Sequence, residues 1–275
     1  MCSPLCICNG VIRSGSTWSF NVCRELYRLA AVQSRQPFAS NYLDGAQLED
    51  FITNRWAATP TAMVFKCHDI GPVAFATLQA GKAKAVYTYR DPRDCVASDL
   101  LFRNYTFERS VKRVHGTLEY LHVLESTSSV LLSRYEDMMA DRPSEIRRIA
   151  KHLGIHADDA AIQKIDAKTN LQNCNTVCES LKDRPVDKVV RFGNHLADPF
   201  TQLHENHLNG GTIGRWKYEF SPEQISYATE FFAPMLLKLG YETPESLKTL
   251  LVNVAFGETL SSPISSPASM NFASH

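Results

Sequence analysis

The segment Gly10-Val11-Ile12-Arg13-Ser14-Gly15-Ser16-Thr17 constrains this chain more than any other. It follows a short apolar run, Leu5 to Asn9, and leads into Trp18, Val22, Leu26 and Leu29 at helical spacing. Strand, glycine loop and helix in that order open a parallel α/β layer. The spacing G-x-x-x-x-G-x-[ST] is that of a phosphate-binding loop. Backbone N–H groups of such a loop converge on an anion, and the first turn of the helix adds positive dipole potential. Ser16 stands where nucleotide triphosphatases carry lysine, so the cradle is kept and the cation must come from another residue, with Arg13 the nearest. A Gly/Ser turn between strand and helix also occurs without any ligand, so other segments have to decide.

Three more β-rich runs each end in polar residues: Ala62 to Cys67 before His68-Asp69, Ala85 to Tyr89 before Arg90-Asp91-Pro92, and Val130 to Ser133 before Arg134-Tyr135-Glu136-Asp137. Strands alternating with helical stretches predict an α/β fold with a central parallel sheet flanked by helices. Ile146, Ile149 and Leu153 keep helical period between Arg142 and Leu153, and Gly154 suits a left-handed C-cap. Ser221-Pro222-Glu223-Gln224 has a capping Ser, Pro at the first helical position and Gln three after the cap, predicting a helix to Leu239, with another from Pro244. No linker interrupts residues 1–256, which read as one domain. Residues 257–275 are Ser- and Pro-rich and read as a flexible tail that cannot repay the entropy of ordering.

Charge narrows the partners. The chain has 29 basic and 29 acidic side chains in 275 residues, so no global pull toward nucleic acid or an anionic membrane is expected, and any anion site is local. No run of eighteen apolar residues and no basic-then-apolar leader occurs, which points to neither a membrane span nor a secretion signal and makes the cytoplasm the expectation. Eight cysteines scattered through so large a domain read as reduced thiols. The Cys6/Cys8 and Cys174/Cys178 spacings do not build a zinc module, and His115 with His122 lacks a third ligand, so no metal is expected. Arg109, Lys112 and Arg113 read as a solvated face.

Four segments together resemble the sulfotransferase family. Arg13-Ser14-Gly15-Ser16-Thr17-Trp18 is similar to that family's phosphosulfate loop. Arg90-Asp91-Pro92-Arg93-Asp94-Cys95-Val96-Ala97-Ser98 matches the segment that binds the 3′-phosphate of 3′-phosphoadenosine 5′-phosphosulfate (PAPS), with Arg90 and Ser98 as the two contacts. Leu132 to Met138 resembles the Tyr-Glu-Asp-Met segment whose tyrosine, here Tyr135, lies beside adenine. Gly211-Thr212-Ile213-Gly214-Arg215-Trp216-Lys217 resembles the late Gly-x-x-Gly-x-Trp-Lys segment, with Gly211 and Thr212 at the donor. The resemblance runs from about Asn9 to Phe220 and implies a P-loop-like sulfotransferase fold using PAPS, leaving 3′,5′-adenosine bisphosphate (PAP). One departure is Asn209-Gly210, where well-known cytosolic members have arginine and lysine; the amides of Gly210 and Gly211, or Arg191, are the stand-ins. The loop also lies close to the amino end, so acceptor preference is not copied from those members. The look is nearest to short bacterial sulfotransferases that modify small molecules, including those tailoring alkaloid toxins.

These residue types suit sulfuryl transfer. The donor is anionic at both ends of an adenosine and needs two clamps: Arg13, Ser14, Gly15, Ser16 and Thr17 at one, Arg90 and Ser98 at the other. Arg13 and Lys66 are placed to stabilise charge on the leaving phosphate, and His68, two residues past Lys66, matches the family's general base. The bland readings are a structural Arg-Asp-Pro turn for Arg90, packing for Trp18 and simple hydrogen bonding for Tyr135. The expectation is transfer to a hydroxyl or amine of a small molecule. Two rivals remain: a P-loop kinase, against which the absent lysine after Gly15 counts, and a silent nucleotide-binding protein that would not need His68. Acceptor identity and oligomeric state stay open.

Overall fold

The structure, a computed structural model, describes residues 4–192, 195–205 and 211–255. The tail reading for residues 257–275 therefore falls outside the described residues, as does Gly210. Five strands, β1 (Leu5–Gly10), β2 (Phe38–Tyr42), β3 (Ala62–Lys66), β4 (Lys84–Tyr89) and β5 (Val130–Arg134), form one sheet in the order β2-β3-β1-β4-β5. Every neighbouring pair is parallel. A short antiparallel hairpin joins β6 (Val190–Phe192) to β7 (His195–Ala197). The helices α1 (Ser16–Ser34), α2 (Gly45–Asp50), α3 (Pro72–Gln79), α4 (Pro92–Arg103), α5 (Phe107–Leu124), α6 (Tyr135–Ala140), α7 (Arg142–Leu153), α8 (Asp159–Thr169) and α9 (Leu171–Ser180) follow in chain order. α10 (Trp216–Glu219), α11 (Pro222–Lys238) and α12 (Pro244–Ala255) complete them. The chain divides into two compact units, Met1–Arg215 and Trp216–His275. In the second, Ser221 and Gln224 form the expected capping box of α11, with Pro222 in its first turn.

In the first unit, period-two alternation sends Cys6 and Cys8 of β1 to one side of the sheet and Ile7 to the other. On the first side they join Val64 and Val86 under Phe20, Val22 and Leu26 of α1, with Ile146, Ile149 and Leu153 of α7 in the same buried cluster. On the other, Phe65 meets Phe51 edge-on with ring centroids 4.8 Å apart, and the buried Tyr87 donates its hydroxyl to the Thr117 carbonyl of α5. Buried on both faces, β1 reads as an unbroken apolar run, as parallel strands do. Cys23 of α1 adds a third thiol to Cys6 and Cys8, with all three sulfurs within 4.8 Å of one another. No spacing rule anticipates that grouping, because α1 supplies its member from across the layer.

β1 lies between β3 and β4 in the sheet although β2 and β3 follow it in sequence, so the chain reverses direction across the sheet at β1. Ligands of open α/β sheets bind at that point, beyond the carboxyl ends of the strands. The register sets Cys8 opposite Lys66 and Gly10 opposite Thr88, bringing the ends of β1, β3 and β4 to one level. Gly10 is required by that closeness: a Cβ there would stand 2.1 Å from Thr88 Oγ1 and 2.6 Å from its carbonyl oxygen.

Candidate active site

Gly15 is the N-cap of α1 in a left-handed conformation (φ 92°), and no side chain caps the helix. The first-turn amides of a helix lack intrahelical partners, so this end offers its N–H groups and dipole to an anion. A Cβ on Gly15 would also meet the Tyr135 ring at 3.1 Å, which gives the second glycine its own reason. Ser14 is turned inward: its hydroxyl donates to the Val11 carbonyl (2.6 Å) and lies 2.7 Å from Thr88 Oγ1. It fastens the loop to β4, and its hydroxyl is not among the groups that line the cavity. Trp18 is likewise outside the cavity, half-buried against the core with its indole N–H unpartnered.

Arg13 sits at φ 64°, a backbone region that side chains other than glycine rarely adopt. Its guanidinium is held on both sides: Nε donates to Ser98 Oγ at 3.0 Å and Cζ lies 4.3 Å above the Phe102 ring. Burial pushes its pKa down to about 10, against the pull of Asp99. Asp99 in turn accepts from Arg113 Nε at 3.1 Å. Arg113 therefore points inward from α5 and lines the cavity, which corrects its reading as part of a solvated face; Arg109 and Lys112 are exposed as expected. Ser98, on α4, touches Arg13, so the two expected donor clamps meet at this hydroxyl.

The cation that Ser16 does not supply arrives from β3. Lys66, buried at the strand end, donates from Nζ to Thr17 Oγ1 at 2.8 Å. Burial and then the neighbouring Arg13 lower its pKa to about 8. His68 lies two residues on, half-buried, with Nδ1 enclosed and unpartnered. Burial, then the charges of Lys66, Arg113, Arg103 and Arg13, push its pKa down to about 3, so the imidazole is neutral at working pH.

The opposite corner is built on Arg90. Its Nη2 donates to Asp94 Oδ2 (3.0 Å) and to the Thr212 carbonyl (2.5 Å), its Cζ lies 4.2 Å above the Tyr135 ring, and its Nε is buried without a partner. Asp94 Oδ2 also accepts from the Gly214 amide at 2.7 Å, tying the late segment to α4. The Tyr135 hydroxyl donates to the Gly211 carbonyl at 3.3 Å. Thr212 meets Arg90 by its carbonyl and is itself exposed. Arg191 is exposed on β6 and does not line the cavity, so it is no stand-in for the basic residues missing at Asn209-Gly210.

One cavity of 390 Å³ joins both corners, lined among others by Arg13, Gly15, Ser16, Thr17, Lys66 and His68 on one side and by Arg90, Ser98, Tyr135 and Gly211 on the other. That volume suits a nucleotide-sized ligand. Arg113 and Arg215, read in the sequence only as part of a solvated face and of the late segment, also line it, as do Asp99, Phe102, Arg103 and His204, which were not singled out by the sequence. Asp99 is one residue past Ser98 and could have been found as its neighbour; the others come from helix faces and loops that spacing does not mark.

The family described as "Sulfotransferase domain" matches residues 6–243. The chain belongs to the sulfotransferase family. Rabbit (Oryctolagus cuniculus) "Sulfotransferase 1C2" is 22% identical over 247 residues, covering 80% of this chain and 79% of that protein. Rabbit "Amine sulfotransferase" is 23% identical over 185 residues, covering 60% of this chain but only 58% of that relative's length. Among solved structures, mouse sulfotransferase SULT7A1 complexed with PAP superposes with a TM-score of 0.58 at 17% identity, covering 92% of this chain and 89% of the mouse one. Retinol dehydratase in complex with retinol and PAP gives a TM-score of 0.58 at 18% identity, covering 85% and 81%. This sulfotransferase thus has the P-loop-like fold of its family. Among its described residues no helix is long and apolar enough to cross a membrane.

The Arg90 corner carries a testable consequence. Arg90→Lys keeps a cation opposite Asp94 but loses the planar fork. PAP binding is expected to weaken about ten- to hundredfold, as for loss of charge-assisted bonds worth about 1.5–3 kcal/mol. Arg90→Ala is expected in addition to lower stability by about 3–5 kcal/mol, because it strands the buried Asp94 carboxylate. Calorimetry with PAP and thermal unfolding check the two effects separately.

Proposed function

We propose that this sulfotransferase moves the sulfuryl group of PAPS to a hydroxyl or amine of a small-molecule acceptor, with His68 as general base. The observation that carries the reading is the convergence of Arg13, Thr17, Lys66 and His68 at one wall of the cavity. The acceptor atom bonds to sulfur as the bond from sulfur to the bridging phosphate oxygen breaks, and the electron pair leaves on PAP. His68 takes the acceptor's proton, while Lys66 and Arg13 meet the charge that grows on the departing phosphate. Gly15, Ser16 and Thr17 hold the 5′ end by backbone amides. Arg90, Ser98 and Tyr135 hold the nucleoside end, where the enclosed Arg90 Nε still offers a donor. Retinol and androsterone occupy retinol dehydratase; for the present chain a natural product such as an alkaloid is the acceptor class we favour. Seven buried, unbridged cysteines among the described residues support a reducing, cytoplasmic setting.

Thermal shift separates this reading from a kinase. PAP at a hundred times its dissociation constant is expected to add about 2.7 kcal/mol of stability. ATP with Mg²⁺ at the same concentration is expected to add much less. A larger shift with ATP overturns the sulfotransferase assignment of the cavity. Failure to release PAP from PAPS with any hydroxyl or amine acceptor, despite tight PAP binding, would leave a silent nucleotide-binding protein.

A further inference from the structure

We infer that Cys6, Cys8 and Cys23 form a buried capture site for a trivalent thiophilic metalloid ion, of which arsenite is the simplest source. The inference does not depend on the PAPS reading above.

Cys6 and Cys8 lie on one face of β1, the central strand, and Cys23 meets them from α1; all three are fully buried and unbridged. Their sulfurs lie within 4.8 Å of one another, and Cys6 Sγ is 4.0 Å from Cys8 Sγ. Three thiolate bonds of about 2.3 Å in a plane set sulfurs about 4.0 Å apart, and the centre of the present triangle is about 2.3–2.8 Å from each sulfur. An atom placed there reaches all three with little side-chain movement. The frame around it is already fixed, because β1 is paired along both edges and α1 packs in the same cluster.

Ligand number and charge select the ion. Among the described residues no His, Asp or Glu joins the group, and Phe20, Val22, Leu26, Val64 and Val86 belong to the same buried cluster. Zinc takes four ligands in structural sites, so here its fourth position would face hydrocarbon. Three thiolates carry three negative charges. A monovalent ion would leave two of them buried and uncompensated, a divalent ion one, and a trivalent ion none. Arsenic(III) binds three sulfurs and turns its lone pair to the remaining side, which suits an apolar wall. The reaction balances without an oxidant or reductant: each As–O bond of As(OH)3 breaks as an As–S bond forms, and each thiol proton leaves with the departing hydroxide as water. Three thiols release three waters and arsenic stays trivalent.

A buried site also needs a way in. Tyr27, Ala62 and Leu153 belong to the cluster that holds the thiols and also line an outer pocket of 180 Å³ beside Pro4 and Phe38. The floor of that pocket is thus the wall of the cluster. Rotation of the Tyr27 ring away from it shortens the path to the sulfurs.

The test incubates the native full chain with arsenite and reads the intact mass and the X-ray absorption of arsenic. One arsenic bonded to three sulfurs is expected, with three hydrogens lost from the protein; capture by two thiols would keep a hydroxyl on arsenic. Cys23→Ala should weaken uptake about hundredfold or more, because the third bond closes within one molecule. Cys174→Ala/Cys178→Ala, which removes the other buried thiol pair, should leave uptake within about twofold. Tyr27→Ala should speed it at unchanged stoichiometry. Native wild type that takes up no three-sulfur arsenic overturns the inference, and so does a three-sulfur adduct that persists in Cys23→Ala or is lost from Cys174→Ala/Cys178→Ala. If Cys23→Ala does not fold, alkylation of the arsenite-treated wild type after rapid unfolding decides. Cys6, Cys8 and Cys23 should be shielded while Cys174 and Cys178 react, and the reverse pattern overturns the assignment.

Discussion

His68→Ala is expected to lower turnover by about 10²–10⁴ while PAP affinity stays near that of the wild type. The asymmetry follows from the proposed role of the imidazole: a general base takes a proton only as the acceptor attacks, so its contribution would belong to the transition state. Its low pKa, about 3, has two consequences. Burial and the four surrounding cations keep the ring unprotonated at every working pH, so it is always in the form a base requires, yet the same cations make it a poor proton acceptor in the empty site. Donor binding brings negative charge against Lys66 and Arg13 and relieves that repulsion, which raises the pKa of His68 when it is needed. The acid limb of kcat is therefore expected at higher pH than that of kcat/KM, since the first reports the bound and the second the free enzyme. Single-turnover rates across pH with a hydroxyl acceptor decide. Undiminished activity of the variant rejects His68 and leaves Asp69 or water as the base. For an amine that arrives unprotonated the effect should be smaller. Stability gives an independent check. Between pH 6.5 and about 3 the unfolded chain protonates this histidine and the folded one does not, so the wild type loses stability on acidification through that window. His68→Ala should lose less.

The fold was legible because its signals are local. Strand ends at Gly10, Lys66, Tyr89 and Arg134 agree with the apolar runs to within a residue or two, and the helix Arg142–Leu153 has the bounds that its period and Gly154 imply. β2 was not legible: Phe38–Tyr42 is a sheet-edge strand, half-buried and exposed by turns, whose run is too polar to announce itself. The site divides in the same way. Residues that follow a strand directly, Arg13, Lys66, His68 and Arg90, could be placed because strand ends converge. Ser14 shows the limit of spacing, since a loop position assigned to the donor by pattern spends its hydroxyl on Val11 and Thr88. Asp99 with Arg113, fourteen residues apart on different helices, and Asp94 with Gly214, 120 apart, are tertiary pairings that only folding reveals.

Lys66→Met, which keeps the stem and removes the charge, is expected to lower turnover by about 10²–10³ and to weaken PAP about tenfold. In the proposed site this ammonium, unlike His68, would face the phosphosulfate end before the reaction as well as during it, so binding and chemistry should both suffer. A pH signature identifies it. With a pKa of about 8 in the free enzyme, Lys66 is charged below that value and increasingly neutral above it, so wild-type PAP binding should weaken progressively beyond pH 8 and should take up protons there. Lys66→Met should bind weakly at every pH with no such inflection, while His68→Ala should keep it. Stability runs in the opposite direction. The folded pKa lies below the unfolded value of about 10.4, so between the two the unfolded chain holds the extra proton and stability rises with pH. Below pH 8 the folded protein carries a buried ammonium at a cost that Thr17 offsets only in part. The ligand-free Lys66→Met protein should therefore melt at a higher temperature than the wild type near neutral pH, and saturating PAP should reverse the order. A variant that melts lower without ligand would show that Lys66 acts chiefly as a structural tie to Thr17, and its loss of activity would then need no electrostatic role in transfer.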